Sequence, residues 1–347
     1  MTHLVNFFLI ILLNTNLIIL IKCNFVHAKK YDEAKAKLLH FLSYESYFAN
    51  AGRCIPKLMN CFKSYELYMS KVVRCDNHKS KCSFYILVSK AEKNIIIVFS
   101  GTLSDRQFFH QLFSVYSKRI YYYKSGFVNK YYVQSFEHLW PYVSRIFKDK
   151  RFYDYTVYVT GHSLGSVYAS LTAFKIHVAK YKDSSKIILY TFGGPRIGSL
   201  EFAKNFDKRI KNSYRVVAGT DFVPHFPACK KMKLKNSKFY HKLYKKKISL
   251  PCDPNDLNGY YHHGTEIWYP YGTEVFYIEC KGYPKNEDFN CSDGQVFPYH
   301  KFSKHRESHS LYFKPLVNKF MKIFYYKSDE NCEVIEDPNY RRVDLSE

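Results

Sequence analysis

Acid is what this sequence is short of. It sets 30 Asp and Glu against 53 Lys and Arg, a formal net charge of +23 over 347 residues, with a pI near 9.4. Such a balance favours anionic partners, whether nucleic acid, acidic glycan or anionic lipid. It also fits lysines scattered without common purpose. No CxxC and no HExxH occurs, which argues against the familiar zinc arrangements; no metal or organic cofactor is implied. No segment repeats. Apolar material is plentiful, with 46% hydrophobic and 18% aromatic residues, enough to bury the core of one large domain or two small ones.

The N-terminus sets the compartment. Residues 4–21, "LVNFFLIILLNTNLIILI", are mostly apolar, and "KCNFVHA" follows. Val26 and Ala28 sit at the −3 and −1 positions of a cleavage site after Ala28, so residues 1–28 read as a secretory signal peptide. A membrane anchor is the rival, since the stretch nears the length of a span. Ten cysteines fit an oxidising compartment. Local loops suggest Cys280–Cys291 and Cys229–Cys252 as bridges. Cleavage would remove Cys23 and leave nine, one too many for internal pairing.

Residues 31–50 carry helical spacing of Leu and Phe. "SFYILVSK" and "NIIIVFSGT" read as strands, the second apolar throughout, as a central strand covered on both faces would be. "YTVYVTGHS" is a strand and "SLGSVYASLTAFKIHVAKY" a helix. "KIILYTFGGPRIG" and "SYRVVAGTDFVPHFP" are strands ending in turns. This alternation predicts an α/β fold with a central, mostly parallel sheet and helices on both faces.

Between the third of these strands and its helix lies Gly161-His-Ser-Leu-Gly165. A serine hydroxyl attacks poorly unless it is exposed, near a base, and close to donors for an oxyanion. The G-x-S-x-G corner exposes Ser163 where flanking side chains would collide. The helix behind it aims its N–H groups and dipole at developing negative charge, making the Leu164 N–H the first candidate donor. A Gly- and Ser-rich turn without chemistry is the plainer alternative. A triad in the order Ser, Asp, His needs an acid next. Asp221 fits, at the end of a strand in a loop stiffened by Pro224 and Pro227 and anchored by Phe222 and Val223. For the base, His241, His262, His263, His300, His305 and His309 are all available, and chemistry alone selects none of them.

"IIIVFSGT", "VYVTGHSLGSVYASLTA", "TFGGPRIGSLEFAKNFD", "YRVVAGTDFVPHFP" and "HSLYF" together resemble the class 3, fungal-type lipase family. "YHHGTEIWY" and the cysteine distribution resemble its secreted nematode-type branch. The match runs in order from about residue 70 to about residue 315. The resemblance implies an α/β-hydrolase fold and a triad of Ser163, Asp221 and His309, the last from the pattern of His followed by Tyr312-Phe313. It also implies a second oxyanion donor at Thr102 and a structural strand at residues 261–269, which demotes His262 and His263. Three positions depart from the family: Ser100 stands for an Arg, Ala218 for a His, and Ser125 for a His.

Residues 104–117, "SDRQFFHQLFSVYS", place Phe108, Phe109, Leu112 and Phe113 on one helical face and polar residues on the other, with Ser104 available as N-cap. An ordinary core helix would show the same pattern. Position in the family implies a lid, spanning about 103–117, that covers the acyl site in water and opens on lipid. Residues 230–247 hold nine Lys and no acid. They read as a solvated basic loop or as a patch for anionic headgroups; nucleic acid fits the composition but not the secretory signal. The reading is one hydrolase domain over 29–327 and an acidic tail over 328–347, secreted, acting on lipid esters at a lipid–water interface. Acylglycerol leads, phospholipid is the runner-up, and a non-catalytic lipid-binding scaffold is the alternative of another class.

Overall fold

Each central strand carries two alternating apolar sets, and these fix the layering. The computed structural model describes residues 30–48, 50–77, 80–101, 118–232, 249–297 and 302–313, with 327–328, 332 and 334–335 beyond them. In chain order, α1 (Glu33–Glu45) and α2 (Ala51–Leu58) precede β1 (Tyr65–Arg74), β2 (Lys81–Ser89) and β3 (Asn94–Phe99). The hairpin of β4 (Arg119–Tyr121) and β5 (Phe127–Asn129) leads into α3 (Lys130–Val143). The βαβ section follows: β6 (Thr156–His162), α4 (Leu164–Val178), β7 (Ile187–Phe192), β8 (Gly198–Ser199), α5 (Leu200–Arg209) and β9 (Asn212–Ala218). Next come β10 (Tyr260–Tyr261), β11 (Thr265–Tyr269), β12 (Ile278–Cys280), α6 (Phe302–Ser310), β13 (Lys327–Ser328) and β14 (Val334–Ile335).

Eight strands form the main sheet in the order β1-β2-β3-β6-β7-β9-β11-β12. Its centre, from β3 to β11, is parallel, and its margins are antiparallel. Side chains alternate across a strand, so Ile95, Ile97, Phe99, Val157, Val159, Ile187 and Leu189 pack toward α3, α4 and α5. Ile96, Val98, Tyr158, Ile188, Tyr190 and Phe192 pack toward α1 and α2. The expected strand at 261–269 forms as β10 and β11. Local chemistry sets the helix starts: the Asp32 side chain accepts from the Lys35 N–H at 3.0 Å, and Ser199 Oγ accepts from the Phe202 N–H at 3.2 Å, each satisfying an amide the helix leaves open.

Cys229–Cys252 and Cys280–Cys291 pair as expected, and Cys75–Cys82 adds a third short loop. A long-range bridge that no local spacing suggests joins Cys54 to Cys332 across a sequence separation of 278. Among the described residues no cysteine is free, and Cys61 is also disulfide-bonded. The acidic segment from Ser328 is tied back through Cys332, and Lys327–Ser328 pairs antiparallel with Val334–Ile335. Two lysines at the stem of the basic insert are spent internally. Lys231 Nζ lies 2.9 Å from Asp293 and Lys230 Nζ 3.6 Å from Asp256. The rest of the insert, 233–248, lies outside the described residues.

Candidate active site

Three strand ends build the site. β6 stops at His162, and α4 starts at Leu164. Ser163 between them has φ 56° and ψ −125°, a left-handed backbone that costs energy for any residue with a Cβ. Neighbours hold that corner. The Ser163 N–H donates to the Phe192 carbonyl at 2.9 Å, and Ser166 Oγ donates to the Gly161 carbonyl at 2.8 Å. A Cβ on Gly161 would run into the Gly165 carbonyl, and one on Gly165 into the Phe99 carbonyl. The two glycines are there for close approach, as the G-x-S-x-G corner requires.

From the end of β9, the chain turns through Gly219 into the loop that carries Asp221, which is fully buried. Phe222 and Val223 are buried beside it. One carboxylate oxygen, Oδ2, accepts from His309 Nδ1 at 2.9 Å and from the Tyr312 hydroxyl at 2.6 Å. The other, Oδ1, accepts from the Val223 N–H at 2.9 Å. Burial, with the Asp221 charge beside it, holds the Tyr312 phenol well above its ordinary value, so Tyr312 keeps its proton and donates. With Nδ1–H donated to Asp221, a neutral His309 has its lone pair on Nε2. That is the tautomer a serine proton acceptor needs.

Behind this pair stands His162, the residue between the elbow glycine and Ser163. Its ring lies 4.6 Å from the His309 ring. Its Nε2 is 2.9 Å from the His309 carbonyl, and its Nδ1 is 3.0 Å from the Tyr47 hydroxyl. A carbonyl only accepts, so Nε2 carries the proton and Nδ1 accepts from Tyr47. Burial first, then the His309 and His40 imidazoles, push His162 well below its ordinary pKa. It remains neutral and keeps this polarity. Gly193, at φ 56° at the end of β7, closes the other side: a Cβ there would lie 2.8 Å from Asp221 Oδ2 and 3.0 Å from His309 Nδ1.

Among the described candidate histidines, His309 is the one brought to Asp221. His262 Nε2 faces the Pro224 carbonyl at 2.6 Å, and His263 Nε2 faces Ser170 Oγ at 3.1 Å, so both serve packing. His241 and His300, with Thr102 and the segment 103–117 expected to form a lid, lie outside the described residues. Ser100, in place of the family's arginine, is buried, and its N–H donates to the Ser83 carbonyl at 3.0 Å. Tyr47, His162, Gly193 and the Tyr312 hydroxyl escaped the sequence reading. For Tyr312 the motif marked the position; for Tyr47 nothing local did.

A parallel sheet with a serine at its strained strand-to-helix corner, an Asp in the loop after a neighbouring strand and a His brought to it from the last turn of α6, define a serine hydrolase of the α/β class. A model of the class 3 lipases matches residues 96–231. A lipase of Caenorhabditis elegans is 36% identical over 266 residues, covering 76% of this chain and 74% of that protein. A chloroplastic phospholipase A1 of Arabidopsis thaliana is 33% identical over 119 residues, 32% of this chain and 21% of that one. The structure of a Rhizomucor miehei lipase in complex with its propeptide superposes with a TM-score of 0.56 at 22% identity, covering 77% of this chain and 78% of that one. The chain belongs to the class 3 lipase family, related to both fungal and nematode lipases. It is a lipase-like carboxylic ester hydrolase.

Proposed function

We propose that Ser163, His309 and Asp221 cleave the ester bonds of acylglycerols through an acyl-serine intermediate. His309 Nε2 takes the Ser163 proton as Oγ attacks the ester carbonyl. The tetrahedral oxyanion is held by the N–H of Leu164, at the start of α4, and by that of Thr102. The imidazolium then gives its proton to the departing alcohol, and water repeats the sequence on the acyl-serine to release the fatty acid. Asp221 orients the ring and stabilises its charged form. The observation that carries this reading is the 2.9 Å contact between His309 Nδ1 and Asp221 Oδ2 beside the strained Ser163 corner.

The finer assignments follow from the same residues. The signal segment at 1–28 and the four disulfides between described cysteines support an extracellular enzyme. Residues 103–117 act as the lid. Residues 230–247 meet anionic headgroups, with the contribution of Lys230 and Lys231 reduced by their acidic partners. That insert and the phospholipase A1 relative favour phospholipid as the second substrate class. The test is a panel of triacylglycerol, phosphatidylcholine and phosphatidylglycerol with the parent and Ser163→Ala. Release of fatty acid by the parent, lost by more than a thousandfold in Ser163→Ala (on the order of a triad deletion), is the expected result. A fluorophosphonate probe should label the parent alone. No labelling of the parent leaves a binding scaffold.

A further inference from the structure

The turn at residues 270–277 stands at the catalytic end of the sheet and is apolar where it faces solvent. β11 runs parallel to β9, so its last residue lies level with the Asp221 loop. The Gly219 N–H donates to the Tyr269 carbonyl at 2.7 Å. From there the chain turns before β12 returns antiparallel. The inner side of the turn is fixed. Thr273 is buried and its Oγ1 accepts from the Phe313 N–H at 2.6 Å. The Tyr277 ring packs 4.9 Å from Tyr31 and 5.5 Å from Tyr269. The outer side is bare: Tyr271 is 74%, Val275 62% and Phe276 49% exposed, with the Tyr271 and Phe276 rings edge to face at 5.7 Å.

Single exposed apolar residues need no explanation, but three on one held turn form a patch of the kind that marks an interaction surface. We propose that this turn docks the enzyme on lipid, independently of the lid, with Val275 and Phe276 entering the acyl region and Tyr271 at headgroup level, where amphipathic rings settle. Lipid is the occupant because the patch shares the end of the sheet with the Asp221–His309 pair. Docking there turns the mouth of the site toward the substrate phase. The only charge on the turn is Glu274, so the surface it fits is uncharged or zwitterionic. It is therefore distinct from any attraction of anionic headgroups to the basic insert. Through Thr273 and Phe313, the docked turn also braces the segment that follows His309.

The choice of occupant rests on the lipase reading, but binding can be measured without turnover. In a Ser163→Ala background, binding to phosphatidylcholine vesicles is compared with and without Tyr271→Ser, Val275→Ser and Phe276→Ser together. The substitutions should lower partition by about a hundredfold. In the active background they should leave hydrolysis of a monomeric soluble ester unchanged while cutting hydrolysis of an emulsion. Val275→Trp gives a readout free of any folding defect, since its added emission should shift blue on vesicles. Equal partition, or a tryptophan that does not sense lipid, overturns the proposal. So does a parent that is dimeric without lipid and monomeric after the triple substitution, because the turn would then be a self-interface. If the parent binds vesicles through the turn but hydrolyses no ester, the docking stands and the catalytic reading falls.

Discussion

His162 shows how much a residue can do without touching substrate. It sits one peptide from the nucleophile, holds the carbonyl of the triad histidine, and is itself held by Tyr47. The elbow and the His309 segment are thus joined by one neutral ring whose protonation burial has fixed. Tyr47→Phe removes the donor to His162 Nδ1 and leaves that nitrogen buried without its bond. A lost hydrogen bond of this kind is worth about 0.5–1.5 kcal/mol, which converts to a fall in rate of roughly twofold to thirteenfold. The fall should appear in kcat on a soluble ester, with KM little changed, because the acyl chain does not depend on this contact. An unchanged kcat would show that the His309 segment keeps its position without the relay.

At the scale of elements, the acid loop is clasped from below. Arg196, 1% exposed in the turn after β7, holds Glu287 with two 2.7 Å bonds and donates to the carbonyls of His225 and Pro227, at 2.7 and 3.2 Å. Its own N–H accounts for the Phe226 carbonyl. The loop that carries Asp221 is therefore fixed at its far end by a buried cation. Arg196→Met leaves Glu287 charged without its cation and Asp293 with Lys231 alone, at a cost of about 3–5 kcal/mol, whereas Arg196→Met with Glu287→Leu should recover part of it, the His262 N–H then losing its acceptor. Urea unfolding of the two variants separates them, and equal losses would mean that packing, not charge, is what Arg196 supplies. None of this clasp was legible in the sequence, where Arg196 appears only inside a recognised motif. What was legible is what lies close along the chain. β3 reads as covered on both faces because Ile95, Ile97 and Phe99 do face one helical layer and Ile96 and Val98 the other. The Ser163 corner reads from five residues. Choosing His309 over five other histidines needed an ordered family pattern, because its partner is 88 residues away. The Tyr47–His162 contact spans 115 residues and Cys54–Cys332 spans 278, and no local spacing announces either.

The whole molecule buries several titratable groups with opposite demands, and their balance sets where it is most stable. Burial lowers His40 and His263 to about 3 and takes His162 and His262 well below their ordinary value, with neighbouring imidazoles or arginines adding to the effect. In the unfolded chain each titrates near about 6.5. Their contribution is complete above that pH and is lost as pH falls from there toward about 3, since the unfolded chain takes up protons that the folded one refuses. Glu45 works the other way. Burial raises it to about 8, so its contribution is complete below about 4.5 and is lost as pH rises through 8. Between about pH 4.5 and 6.5 these four histidines and His225, which burial and then Arg196 also hold well below its ordinary value, outnumber the raised carboxyls Glu45 and Asp293, so unfolding takes up protons. Stability should therefore fall with acidification over that window. Above about 6.5 the histidine contribution levels off and the raised carboxyls take over, with Glu45 lowering stability as pH rises by about 1.4 kcal/mol per unit at most. The melting temperature should peak between about pH 6 and 7, with the steeper side toward acid. Glu45→Gln should lessen the fall on the alkaline side and steepen the acid side, because it removes a carboxyl that opposes the histidines there. A melting temperature that climbs steadily down to pH 4 would mean that these imidazoles reach water in the folded protein, and with it that the neutral His162 bridge does not hold.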